Sequence, residues 1–335
     1  MLNVKTHFIS RTALAAAVLA ACGFAQAQSN VTVYGIVSQD VVYASNAGNG
    51  GRYRMDNGRL NASRLGFKGS EDLGGGLSTI FDIESGIAPA TGGGGGGGSF
   101  WNRGSYVGLK GAFGASTLGR QWNVNDDILG NFFIFGGYAV FNYSYFGATS
   151  DIYNNSIKYV SPTTGGFTVE ALGALGDGQP RIMEIGGNYD GGPLKAALTY
   201  HQSEIKPTDL KDKLTSAGIS YAIDAFNLRL AYAAANNRAS GPVGTPKASA
   251  LDLGLDYALT PAAALSADYV AQDVKNSPSD THFFRLLAKY NLSKRTQLNA
   301  NAVMLKNKGT ASENFGYGIV GSKQNVFTVG MSHFF

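Results

Sequence analysis

Cysteine is almost missing from these 335 residues: Cys22 stands alone, near the start of the chain. A single thiol excludes a disulfide framework, so an exported form is held by its own backbone pairing. Beyond residue 27 no run of 18 consecutive apolar residues occurs, which excludes helical membrane spans. Strong charge of one sign is also missing: 27 Lys and Arg face 23 Asp and Glu, too even a balance for a nucleic-acid surface. Histidines are few, and beyond the leader His201, His282 and His333 stand far apart. With no G-x-S-x-G and no HExxH, no enzyme, no catalytic residue, no metal site and no cofactor is expected. What is abundant is glycine and aromatic residues, 46 Gly with 17 Tyr and 19 Phe. That mixture suits strands with one lipid face and one wet face.

Residues 1–27 read as a secretory leader. Lys5 and Arg11 precede an Ala/Leu/Val stretch at 12–21, and Ala25-Gln26-Ala27 is a small-x-small cleavage site. The apolar stretch is too short to span a bilayer. Leu19-Ala20-Ala21-Cys22 also has the shape of a lipidation site, an alternative to cleavage at Ala27. Residues 28–335 then form one domain.

That domain opens and closes on alternating strands, VTVYGIVSQDVVYA at 31–44 and KQNVFTVGMSHFF at 323–335. Between them strand-like segments are expected at 58–69, 77–86, 100–110, 115–123, 152–161, 167–176, 181–190, 193–203, 212–223, 226–236, 248–259, 262–273, 281–291 and 296–306. An even count of sixteen antiparallel strands brings both ends to one rim, and in a membrane only a closed sheet leaves no unpaired edge. The expected fold is therefore all-β, a sixteen-stranded antiparallel transmembrane β-barrel, and with it a pore. Connections alternate in length. Turns such as 70–76, 111–114 and 224–225 are short, whereas 45–57, 87–99, 122–151 and 307–322 are long and polar or Gly-rich. Seven glycines at 92–98 match a nucleotide loop trivially, without a βαβ setting, and read as a flexible loop tip.

Faces alternate clearly in places. Leu77, Thr79, Phe81 and Ile83 oppose Ser78, Ile80, Asp82 and Glu84, and Phe327, Val329, Met331 and His333 oppose Thr328, Gly330, Ser332 and Phe334. Arg64 and Lys68 share a face that cannot meet lipid cheaply. Segment 226–236 shows the period poorly. Tyr34, Tyr43, Tyr106, Tyr159, Tyr189, Tyr200, Tyr221, Tyr257, Tyr269 and Tyr290 are candidates for interfacial girdles, or ordinary strand aromatics.

Five stretches carry a resemblance: VTVYGIV at 31–37, SRLGFKGSEDLGGGLSTIFDIESG at 63–86, NRGSYVGLKGAFGASTLGRQ at 102–121, NNSIKYVSP at 154–162 and VGMSHFF at 329–335. In these the chain resembles the general porins of β-proteobacteria, of the Burkholderia, Bordetella and Neisseria type. The resemblance implies a homotrimer in the outer membrane of a Gram-negative bacterium, surrounded by outer-membrane lipid. It implies passive diffusion of small hydrophilic solutes and ions, with the third extracellular loop folded into the lumen as a constriction.

The resemblance further implies wall arginines facing that loop: Arg64, Arg103 and Arg120 match the motif positions, with Lys68 on the face of Arg64. The third loop corresponds to 122–151, where Asp126 and Asp127 supply opposing charge and Phe132, Phe133, Phe135, Tyr138, Phe141, Tyr143 and Tyr145 pack against the wall or meet the solute. Phe335 matches the family's terminal aromatic, which serves as an assembly signal. One departure stands before NNS, where Ile152 and Tyr153 occupy a place many relatives make basic. Lys158, Arg52, Arg54 and Arg59 are the candidates to replace that charge. Two other functions fit an outer-membrane barrel: a substrate-specific channel using the aromatic loop, and an adhesive or structural barrel.

Overall fold

The computed structural model describes residues 30–48, 53–95, 98–130, 132, 151–175, 181–205, 210–237, 247–311 and 313–335. The leader with Cys22, Arg52, and the aromatic residues Phe133, Phe135, Tyr138, Phe141, Tyr143 and Tyr145 lie outside the described residues.

Side chains of a strand point alternately to its two faces, so a two-residue period in polarity selects a sheet with unlike surfaces. The chain obeys this in β1 (Asn30–Ala44), β2 (Arg64–Gly74), β3 (Leu77–Ala88), β4 (Gly104–Gly111), β5 (Gly114–Trp122), β6 (Ile152–Val160), β7 (Phe167–Ala174) and β8 (Arg181–Gly191). It continues in β9 (Leu194–Ile205), β10 (Leu210–Ile223), β11 (Phe226–Asn237), β12 (Ala248–Ala258), β13 (Ala263–Val274), β14 (Thr281–Asn291), β15 (Thr296–Asn307) and β16 (Lys323–Phe334). Each strand pairs antiparallel with the next. β16 returns to β1, from Phe334 opposite Ile36 to Val326 opposite Ala44. The result is a closed sixteen-stranded barrel, as expected. Two short segments, Tyr53–Asp56 and Gly93–Gly94, extend the sheet on the long-loop side.

Three expectations need correction. The strand placed at 58–69 starts at Arg64, because the Ser63 hydroxyl accepts from Ser38 N at 2.9 Å and donates to Ser38 O at 2.8 Å, replacing the ladder there. It runs on to Gly74, since the turn is made by Gly74, Gly75 and Gly76, with φ of 83°, 63° and 78°, a left-handed path open to glycine. The strand placed at 100–110 starts at Gly104, because the Asn102 side chain accepts from Gly86 N at 2.7 Å. The glycine run is not wholly a free tip: Gly93 and Gly94 pair with Ala88 and Ile87, and Gly95 N donates to Gly86 O at 2.7 Å.

The two faces are sorted. Along β16, Gln324, Val326, Thr328 and Ser332 are buried inward, while Phe327, Val329 and Met331 are exposed on the outer face. Segment 226–236 has a weak period because the loop-side part of its inner face is apolar too: Leu228, Leu230 and Tyr232 point outward, and Ala231, Ala233 and Ala235 line the inner wall, all buried. Outer aromatics cluster toward both rims, Phe167 with Tyr189 and Phe226 with Tyr257 near the short turns, Tyr43 with Tyr53 and Phe327 near the long loops. Tyr34 and Tyr106 do not join them: their register partners Gly66 and Asp82 lie on the inner face.

The seam is finished by the last residue. Phe335 N and O each hydrogen-bond Gly35 at 3.1 Å, and a Cβ on Gly35 would stand 2.5 Å from the Phe335 ring. Gly35→Val is expected to overpack this seam by about 1–3 kcal/mol. The check is the midpoint of the heat-induced gel-mobility shift, which should fall; an unchanged midpoint would contradict the role of Gly35.

Candidate functional site in the lumen

Residues directly opposite on neighbouring strands share a face. Arg64 opposes Gly86, Gly66 opposes Glu84 and Lys68 opposes Asp82, so the charges of β2 and β3 form one inner ladder. Arg103, just ahead of β4, places Nε 2.6 Å from Glu84 Oε1, and Arg64 Nη1 lies 3.9 Å from the same oxygen. Tyr34 OH donates to Asp82 at 2.8 Å and to Glu84 at 3.1 Å, and the Lys68 ammonium sits 5.0 Å over the Tyr34 ring. The Arg103 guanidinium stacks 4.9 Å over Trp122. Two guanidiniums thus share one carboxylate, leaving a positive balance at that height of the wall.

Arg120 does not join them. It opposes Ser105, which opposes Ile83 on the outer face, and its Nη1 donates at 2.6 Å to the side-chain oxygen of exposed Asn154 on β6. The parity is set by Thr117 and Gln121, whose side chains meet at 2.6 Å among buried residues and so fix the even position 120 outward. The expected pore role of Arg120 is therefore withdrawn.

The long connection begins inside the barrel. Asn123 caps the six-residue helix α1 (Val124–Leu129), its side chain accepting from Asp126 N at 2.6 Å. Val124 N donates to Glu184 Oε2 of β8 at 2.7 Å, and the Thr199 hydroxyl of β9 bonds Asn125. Gly186 and Gly218 make room: a Cβ would stand 2.7 Å from Ile128 at the first and 2.5 Å from Phe132 at the second. Arg229 Nη1 donates to Phe132 O at 3.3 Å. Val124, Ile128, Leu129 and Phe132 are consequently buried against Leu214, Ala231, Ala233 and Ala235. The inner wall of β8 to β11 thus offers this segment an apolar seat set among buried polar groups such as Glu184, Thr199 and Arg229.

The two adjacent acids of α1 part ways. Asp127 is exposed on its lumenal side and pairs with Lys158 Nζ, which also lies 3.7 Å from Glu170. Asp126 turns to the wall, its Oδ2 buried without a hydrogen-bond partner among the described residues. Burial, with the negative charges of Asp151 and Glu184 nearby, pushes its carboxyl pKa up to about 8, and burial raises Asp151 as well. The two acids therefore do not act as one charged pair.

Lys158 brings a cation to the loop although Ile152 and Tyr153 lack one; Tyr153 instead stacks on His201 at 6.3 Å. Arg54 and Arg59 sit at the long-loop rim, both bridged to Asp56 at 2.7 and 2.9 Å and stacked on Tyr317 at 4.0 and 4.6 Å. The sequence reading missed a second ladder. Asp268 lies between Arg229 at 2.6 Å and Arg285 at 2.7 Å, and Arg229 also reaches Asp256 at 2.9 Å. It missed too the buried pair of His201 Nδ1 and Glu184 Oε1 at 2.7 Å. The signal was parity: Arg229 alternates with Leu228 and Leu230, and Arg285 with Phe284 and Leu286. Among the described residues no cluster of three or more His, Cys, Asp or Glu is placed to hold a metal ion.

Residues 13–310 match the Gram-negative porin family. Outer membrane porin protein 32 of Delftia acidovorans is 32% identical, over 91% of this chain and 92% of its own length. An outer membrane porin protein of Bordetella pertussis is 28% identical, over 98% of this chain and 100% of its own. Among solved structures, the anion-selective porin from Comamonas acidovorans superposes with a TM-score of 0.82 at 28% identity, covering 92% of this chain and all of that one.

The raised Asp126 pKa couples the seating of α1 to pH. Against the wall the carboxyl keeps its proton up to about pH 8, whereas in water it loses it near 3.8. Seating is therefore fully supported below the lower value, and that support is lost progressively as pH rises from the lower value through the upper one, beyond which it no longer changes. Open-channel current noise is expected to rise as pH goes from about 4 to about 8 and to level off above, and Asp126→Asn to flatten that rise; equal pH profiles for both proteins would contradict it.

Proposed function

The chain belongs to the Gram-negative porin family and forms a passive diffusion channel in the Gram-negative outer membrane, and on that premise we propose that small hydrophilic solutes and ions are selected at a neck between the β1–β4 wall and the α1 segment. The observation that carries this reading is the pair of charge clusters the fold presents to the lumen: Arg64 and Arg103 around Glu84 on the wall, and Asp127 held by Lys158 at α1. Fixed charges on a low-dielectric wall act strongly on a passing ion, and a transverse pair of fields orients a dipolar solute. Lys68 and Asp82 continue the wall ladder toward the short-turn rim, where the solute leaves the neck.

Further features of this reading are proposals of the same kind. Residues 1–27 act as the export leader and 28–335 as the barrel. Phe335 serves assembly as a terminal aromatic, in keeping with its position on the closing seam. The active particle is a homotrimer. The relatives are channels, and this chain is read as non-enzymatic in the same way.

The test is single-channel recording in a planar bilayer, with reversal potential under a salt gradient. Closure in three equal steps is expected for the trimer. Arg103→Gln is expected to move the reversal potential toward cation preference and Glu84→Gln to move it toward anions, because the two changes leave opposite charges in excess. If neither change moves it, the wall ladder is not at the neck.

A further inference from the structure

The inner wall near the short turns holds a hollow that neither the arginine cluster nor α1 uses. Its volume is about 300 Å³, at the small end for a ligand site, and it is lined by Thr32 of β1, Lys68 and Ser70 of β2, Asp82 of β3 and Tyr106 of β4. They share the inner face: Thr32 stands opposite Lys68, Lys68 opposite Asp82 and Asp82 opposite Tyr106. Ser70 is the next inward residue of β2. Asp82 follows Glu84 toward the short turns on β3, so a solute meets this hollow on leaving the Arg64–Glu84–Arg103 cluster.

Opposite charges directly across two strands attract. Lys68 and Asp82 stand so, yet among the described residues no ion pair joins them. Tyr34 engages each of them separately. Its hydroxyl donates to Asp82 Oδ1 at 2.8 Å, and the Lys68 ammonium sits 5.0 Å over its ring. Gly66 makes that placement possible, since a Cβ there would stand 2.4 Å from Tyr34 Cζ. Among the described residues neither Asp82 Oδ2 nor the Tyr106 hydroxyl has a hydrogen-bond partner. The wall therefore presents a cation and an anion side by side, each with bonding capacity left over, beside an open hollow. A lone anion gains Lys68 but meets Asp82, and a lone cation the reverse; a solute carrying both charges a few atoms apart satisfies both. We propose that this hollow is a subsite for a free α-amino acid in its zwitterionic form. The carboxylate takes the Lys68 ammonium with the Thr32 and Ser70 hydroxyls, and the solute ammonium takes Asp82 Oδ2 with the Tyr106 hydroxyl. Lys68 and Thr32 are exposed, so binding is weak and the solute is released, as flux through a channel requires. The subsite rests on the diffusion-channel reading above and adds to it the class of solute held at the exit.

The experiment is single-channel current through the purified barrel in a planar bilayer, titrated at neutral pH and constant ionic strength. L-alanine is compared with lactamide, its uncharged near-isostere, and with acetate and ethylammonium, which carry one charge each. Alanine is expected to lower the open current saturably, with half-block in the millimolar range, and the three other solutes to lower it without saturating. Relative to each variant's own open current, K68Q and D82N should each raise the half-blocking concentration about threefold or more, while K68R keeps it. Y34F should raise it as well, because Asp82 released from the hydroxyl then pairs with Lys68 directly and closes the site. Heat-modifiable gel mobility shows which variants are folded, and Y34F, which removes one oxygen from the wall, tests the site even if a charge change disturbs assembly. Equal block by alanine and lactamide, or a half-block unmoved by K68Q, D82N and Y34F, would overturn the subsite. A half-block moved by R103Q but not by K68Q would put the solute among the arginines and overturn it too. A current that alanine leaves unchanged overturns the subsite alone, whereas no current from folded, unaltered protein overturns the channel reading beneath it.

Discussion

Everything in this protein depends on backbone hydrogen bonding that leaves no free edge. In hydrocarbon each unpaired N–H or C=O costs several kcal/mol, so a sheet survives only if its last strand finds its first. Here that closure runs from Ala44 and Val326 down to Gly35 and Phe335, where both backbone groups of the final residue are used. Glycine at 35 is part of the same constraint, because the terminal ring and Arg64 O occupy the space of a side chain.

Closure creates an inner surface, and the chain divides it. On β1 to β4 the wall is charged and wet, with Arg64, Arg103, Glu84, Tyr34, Asp82 and Lys68 bonded in sequence. On β8 to β11, Gly186 and Gly218 let α1 and Phe132 lie close while Glu184 and Arg229 take up their backbone groups. One stretch of wall supplies field and another supplies a seat. Arg229 also belongs to the Asp268 ladder, so the seat is fixed to a buried charge network whose disruption would cost about 3–5 kcal/mol.

Much of this was legible in the sequence. Strand number, the long and short rims, and the inward placement of Arg64 and Lys68 follow from period two and from turn residues. What was misread has physical reasons. Arg120 was placed by its motif, although Leu118 two residues earlier already shared its parity and faces outward. Asp126 and Asp127 were taken together, but neighbours on a helix point about 100° apart, and only one of them faces water. The strand at 58–69 was misplaced because the Ser63–Ser38 exchange and a three-glycine turn set its ends, and neither leaves a mark in hydropathy. Arg229 was hidden by the inward alanines at 231, 233 and 235, and Arg285 by a strand apolar on both faces, with Phe283 and Leu287 inward and Leu286 outward.

The central claim is that α1 and Phe132 rest on the wall of β8 to β11 and leave the arginine wall of β1 to β4 open to solvent. Cysteine accessibility tests it directly, since Cys22 is the only native thiol in the chain. A cysteine at Arg64 should react quickly with a charged, water-soluble thiol reagent and change the current, while one at Ala231, beneath the α1 segment, should be protected in the same channel. Equal reaction rates at the two positions would mean that the segment does not rest on that wall, and the account of the neck would fail.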